Sequence, residues 1–190
     1  MSGIEEMQIF TPGGVAKHEL VTQERATWGL NVISHREGKN QLEYRYDDSA
    51  GAGTYAYVID SGCRLTHREF EGRATAGHNA LPGTGDDDTT VHGTHVAGTI
   101  AGATVGVARK ASIVSVKVFD VSANTTTEDI LDGLTWSVND IVEKERQSKA
   151  VINMSLGKFS TGTPVISRWH SRLASGLWGD LLKGQDSVQR

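Results

Sequence analysis

Two ionisable residues sit in settings that suit proton transfer. Asp60 closes the strand-like run Tyr55-Ala56-Tyr57-Val58-Ile59 and is followed by Ser61-Gly62. His92 opens a small-residue run, Gly93-Thr94-His95-Val96-Ala97-Gly98-Thr99. A carboxylate at a strand end can accept the Nδ1–H of an imidazole, fix its tautomer and stabilise the imidazolium formed during proton transfer. A histidine at a helix start serves as general base when such a carboxylate orients it and a nucleophile is in reach. The positive end of the helix dipole disfavours the imidazolium, so an anion such as Asp60 is needed to offset it. Each residue also has a plain alternative. A strand-end aspartate caps the turn at Ser61-Gly62. A histidine beside an acidic loop is an ordinary surface residue.

Three further groups are candidates. Asp86, Asp87, Asp88, His92 and His95 combine carboxylates with a His pair, which would suit a metal-dependent hydrolase. No Cys or Glu completes a ligand spacing there, so the expectation is no metal and no cofactor. Cys63 stands three residues after Asp60, either as a thiol that makes the site sensitive to heavy metals or as a small semi-buried hydrophobe. Ser155-Leu156-Gly157 ends a β-rich run and could pair with an extended peptide through its main chain, the glycine leaving room for a side chain.

The elements that would carry these groups follow from periodicity. Thr22 to Leu30 reads as a short helical turn capped by Thr22. Thr54–Ile59 reads as a strand, and residues 82–90 as a surface loop. A short helix is expected from His92 to near Gly102. Ser112–Phe119 is β-branched and reads as a second strand. Ile130, Leu134, Val138, Ile141 and Val142 recur at helical spacing over Glu128 to Arg146, with Thr125 and Glu128 as a capping box. Ala150–Leu156 reads as a third strand. This alternation predicts an α/β fold, a doubly wound parallel sheet with helices on both faces. Functional residues gather at the carboxyl ends of such strands. Asp60, the 120–125 connection and Ser155–Gly157 all fall there.

Bulk properties narrow the classes. The 190 residues suit one domain. A net charge of −4 argues against a nucleic-acid partner. No apolar run approaches the roughly 20 residues of a membrane span, and residues 1–20 show no basic start or apolar core of a secretory signal. Cys63 is the single cysteine, so no internal disulfide marks the compartment.

In combination and order, several phrases resemble the subtilisin-like serine proteases, and within them the secreted fungal proteinase K/oryzin, or alkaline protease, branch. They are Tyr57–Gly62, Glu69–Ala74, His92–Thr99, Gly106–Ala108, Val116–Val118 and Asn153–Gly157, with Trp28-Gly29-Leu30 like the start of a mature enzyme. The resemblance runs from about Leu20 to Gly157. It implies the N-terminal half of a subtilisin-like domain. In it Asp60 is the orienting carboxylate and His92 the general base, and Ser155, Leu156 and Gly157 line the primary specificity pocket. Ser122 to Thr125 falls where the family places the opposite edge of the cleft. The implied activity is peptide-bond hydrolysis on peptide or protein substrates, outside the cell. The family's nucleophile phrase, Gly-Thr-Ser-Met-Ala, occurs nowhere in the 190 residues, and its oxyanion asparagine has no counterpart. Residues 1–19 are therefore read as a propeptide remnant, most of the inhibitory propeptide being absent, and 20–157 as a partial peptidase domain. Residues 158–190 are read as a non-family tail from a frame or splice change. The chain is expected to be inactive as it stands. The alternative is a non-catalytic fragment that binds peptides or a partner protein.

Overall fold

The computed structural model describes residues 19–35 and 42–157. Their elements run β1 (Leu20–Gln23), α1 (Trp28–Ser34), β2 (Tyr44–Asp47), β3 (Tyr55–Asp60), a 3-10 turn (Arg68–Phe70), β4 (Ala74–Asn79), α2 (His92–Ala101), β5 (Ser112–Lys117), α3 (Thr127–Glu143) and β6 (Ala150–Asn153). The chain divides into two units, 1–155 and 156–190. All of these elements belong to the first.

The main sheet is parallel, in the order β4-β5-β3-β6. Its core follows from the period-two alternation of strands. Ala56 and Val58 of β3 and Ile113 of β5 face α2, where they bury against Ala97, Ala101 and Phe70. Tyr57, Ile59, Val114 and Val116 face the other way, against Ile130, Leu134 and Trp136 of α3. One helix thus covers each face, as expected of a doubly wound sheet. Asp60 continues the α2-facing row of β3, and Lys117 lies opposite it in register on β5.

Helix α3 is anchored at its start by a reciprocal cap. The Thr126 hydroxyl accepts from the Asp129 amide at 3.1 Å, and the Asp129 carboxylate accepts from the Thr126 amide at 3.0 Å. The expected box at Thr125 and Glu128 is therefore displaced by one residue. Aspartate serves there in place of the Glu or Gln usual at the third helical position.

Several expectations change. Thr22 is not a helix cap, because Leu20–Gln23 pairs antiparallel with Tyr44–Asp47. The β-branched Val21 and Thr22 favour that extended pairing. Arg25 then takes φ 57°, and the helix begins only at Trp28. Strand β5 ends at Lys117 and β6 at Asn153, so Ser155–Gly157 follows the strand instead of completing it. Strand β4 was not anticipated. Its sequence, Ala-Thr-Ala-Gly-His-Asn, carries one β-branched residue, and its register shifts between Ala76 and His78. Gly77 at that irregularity is required by space: a Cβ there would meet Val114 Cγ1 at 2.7 Å and Trp136 at 2.9 Å. A rough helical period that the tail sequence keeps at Ile166, Trp169, Leu173, Leu177 and Leu181 lies outside the described residues.

Candidate active site

The carboxyl end of β3 and the amino end of α2 meet. His92 Nδ1 lies 2.8 Å from Asp60 Oδ1 and 3.0 Å from Oδ2. A carboxylate offers acceptors only, so Nδ1 is the nitrogen that carries the shared proton. In the neutral imidazole Nε2 then keeps its lone pair. Asp60 is buried at 1% exposure, whereas the His92 side chain is 55% exposed, so the free nitrogen belongs to the accessible end of the pair. The Asp60 carboxylate also accepts the Ser61 amide at 2.7 Å, which limits its rotation. This arrangement can orient an imidazole and stabilise its protonated form while Nε2 takes a proton from an incoming group.

The contact depends on close packing of two backbones. A Cβ on Gly93 would overlap the Gly62 carbonyl oxygen and lie 3.2 Å from Asp60 Oδ1. On the neighbouring strand, buried Lys117 donates to the Ser61 carbonyl at 2.9 Å and the Asp87 carbonyl at 2.7 Å. The ammonium thus joins the residue after Asp60 to the acidic loop before α2. The sequence reading missed Lys117. Its signal was present: Ser115 and Lys117 break an apolar run at every second position, marking a row of β5 that faces polar groups.

The sequence model of the Subtilase family matches residues 51–181. The chain belongs to the subtilase family. Its relatives include Alkaline protease 1 of Aspergillus oryzae, 55% identical over 154 residues, which are 81% of this chain and 36% of that protein. The Alkaline proteinase of Hapsidospora chrysogena is 51% identical over 160 residues, 81% of this chain and 39% of the relative. Among solved structures, a cold adapted subtilisin-like serine proteinase superposes with a TM-score of 0.61 at 36% identity, covering 72% of this chain and 48% of that one. The described α/β architecture is therefore a partial subtilisin fold. This subtilase spans a little over a third of the length of the curated relatives it matches. The family match runs through residue 181, beyond Gly157, where the phrases that resemble the family stop.

The remaining candidates of this subtilase fall into place by chemistry. Asp88 spends its carboxylate on Ser61, Thr90, Val91 and Thr94. Among the described residues no group of three or more His, Cys, Asp and Glu could share a metal. Cys63 is fully buried, and its thiol is pushed up to about 12 by burial first and by the Asp88 charge second. A thiol so placed packs as a hydrophobe. Asp120 Oδ1 accepts the amides of Ser122 and Asn124, each at 2.8 Å, and so folds the connection after β5 into a tight turn. Asn153 pairs with Val58, two residues before Asp60, so Ser155 leaves the sheet at the same end as the pair. Its hydroxyl donates to Asn153 Oδ1 at 3.0 Å. Leu156 and Gly157 fall in the second unit.

Proposed function

We infer that residues 20–157 carry the acid–base half of a subtilisin-like serine endopeptidase. His92 is the general base and Asp60 its orienting carboxylate. Ser155, Leu156 and Gly157 are the residues that the family resemblance assigns to the primary specificity pocket. The substrates are peptides or proteins, and the site of action is extracellular, as the family resemblance implies. The observation that carries this reading is the 2.8 Å contact between His92 Nδ1 and buried Asp60 at the carboxyl end of a parallel sheet. No metal or cofactor enters the scheme.

These 190 residues contain no Gly-Thr-Ser-Met-Ala phrase. Alone they orient and polarise without forming an acyl-enzyme. Removing the nucleophile from subtilisin lowers turnover by about a millionfold, and losing an oxyanion donor costs roughly a hundred- to thousandfold. The purified chain is therefore expected to resist labelling by a fluorophosphonate probe; labelling at any serine refutes this part of the reading. The roles of the pair are tested in a chimera. Residues 20–157 are joined to the remaining C-terminal part of Alkaline protease 1. The chimera should hydrolyse peptides, with activity falling about a millionfold in His92→Ala and about ten-thousandfold in Asp60→Ala. A folded, active chimera that tolerates His92→Ala overturns the assignment.

One observation favours the second reading, a peptide-binding fragment. β6 pairs with β3 on one side, has no other strand partner among the described residues, and exposes Val151. Such an edge accepts an added strand. Saturable binding of an extended apolar peptide to the unlabelled chain would support it, and a soluble chain without such binding would exclude it.

A further inference from the structure

Around the Asp60–His92 pair the hydrogen bonds close into a ring. The Ser61 hydroxyl, one residue after Asp60, accepts from the Gly93 amide at 3.0 Å, one residue after His92. The same hydroxyl donates to Asp88 Oδ1 at 2.8 Å. Oδ1 also accepts from the amides of Thr90 at 3.1 Å and Val91 at 2.9 Å, and from the Thr90 hydroxyl at 3.3 Å. Oδ2 accepts from the Thr94 amide at 2.8 Å and the Thr94 hydroxyl at 2.6 Å. One carboxylate thus takes orphan amides at the start of α2, which Val91, the residue before His92, cannot cap with its own side chain.

The backbone there needs holding. Val91 has φ 69°, a left-handed conformation that is strained for a β-branched residue. Its amide is fixed in that conformation by Asp88. Burial alone would raise the Asp88 carboxyl, but the Thr94, Ser61 and Thr90 hydrogen bonds outweigh it and leave it below its usual range.

We propose that Asp88 is a positioning residue for the Asp60–His92 pair: it locks the helix start that carries His92 to Ser61, the neighbour of Asp60. It acts through Ser61, Val91, Thr94 and the Gly93 amide. The inference deepens the function proposed above and takes its catalytic meaning from it.

The test reads the His92 Nδ1 proton by NMR in the 190-residue chain, so it needs no nucleophile. The reference is the His78 ring proton, which is shared with Asp132 across 2.6 Å at the junction of β4 and α3. In Asp88→Ala the His92 proton should exchange with water about tenfold faster, the size of a lost helix cap, while His78 changes little. Asp88→Asn keeps one acceptor oxygen and should give a selective acceleration of about threefold; it decides the matter if the alanine variant does not fold. Equal acceleration at both histidines would mean general loosening and would overturn the proposal, as would an unchanged His92 proton. Loss of the peptidase reading in the chimera leaves this readout untouched, so the two failures are distinguishable.

Discussion

Gly93→Ala pits helix propensity against the packing that makes the site. Gly93 lies in the first turn of α2, where alanine is ordinarily better by about 0.5–1 kcal/mol. The added Cβ, however, would overlap the Gly62 carbonyl oxygen and press on Asp60 Cβ and Oδ1, each at 3.2 Å. The Gly62 oxygen is backbone and cannot rotate away. Restoring ordinary contact separates β3 from α2 by on the order of 1 Å. The His92–Asp60 distances of 2.8 and 3.0 Å then pass beyond hydrogen-bonding range. Overpacking costs about 1–3 kcal/mol, and losing a hydrogen bond to a charged group costs about 1.5–3 kcal/mol, towards the lower end here because the imidazole is half-exposed. The net expectation is a loss of about 2–3 kcal/mol after the propensity gain. For a chain of this size that lowers the melting temperature by about 5–10 °C. Urea unfolding and calorimetry measure it, and the His92 ring proton should exchange faster in the same variant. A variant that unfolds at or above the parent midpoint would show that the close approach of these backbones does not hold the site.

Two other outcomes follow from titratable groups whose surroundings shift them. With its thiol held at about 12, Cys63 should react with iodoacetamide at pH 8 roughly a thousandfold more slowly in the folded chain than in urea; comparable rates would contradict its burial. Acid stability has a defined sign. Burial raises the Asp88 and Asp140 carboxyls, but hydrogen bonds outweigh it, from Thr94 and Ser61 to the first and from Lys144 and Tyr57 to the second. Glu69 is lowered chiefly by the Thr104 amide. Groups depressed in the folded state contribute stability that is present above the unfolded carboxyl range, about 3.9–4.3, and lost as pH falls through their folded values. The urea midpoint should therefore hold from pH 7 to about 5 and drop below about 4, with a smaller drop in Asp140→Asn. A midpoint that starts to fall at pH 6 would point to other groups.

The sheet and its two covering helices were legible because their signals are local. Alternation in β3 and β5 and the helical period of α3 each act over a few residues. The elements missed depend on partners distant in sequence. Leu20–Gln23 becomes a strand only opposite Tyr44–Asp47, and β4 holds its edge position through β5 despite a weak strand composition. Tyr44 and Tyr46 stack at 5.1 Å with the Arg109 guanidinium over both rings, which ties that ribbon to the loop before β5. No local rule connects residues 44 and 109.

The same distinction explains the site. Asp60 and His92 are 32 residues apart, yet their meeting follows from topology. In a parallel sheet the covering helix runs back against the strands, so its amino end lies over their carboxyl ends. An aspartate at the last position of β3 and a histidine at the first position of α2 are therefore brought to the same edge, whatever lies between them. Their approach to 2.8 Å needs more than topology. It needs a residue without a side chain at 93, a hydroxyl at 61, and a carboxylate at 88 that turns inward to the helix start. In the sequence Asp88 looked like part of an acidic surface loop, because Asp86 and Asp87 stand beside it. What sets it apart is its distance from the helix: it can reach both Val91 and Thr94 while Ser61 approaches from the strand. The spacing of the Asp60 and His92 phrases thus places the pair, and the polar residues around them set its geometry.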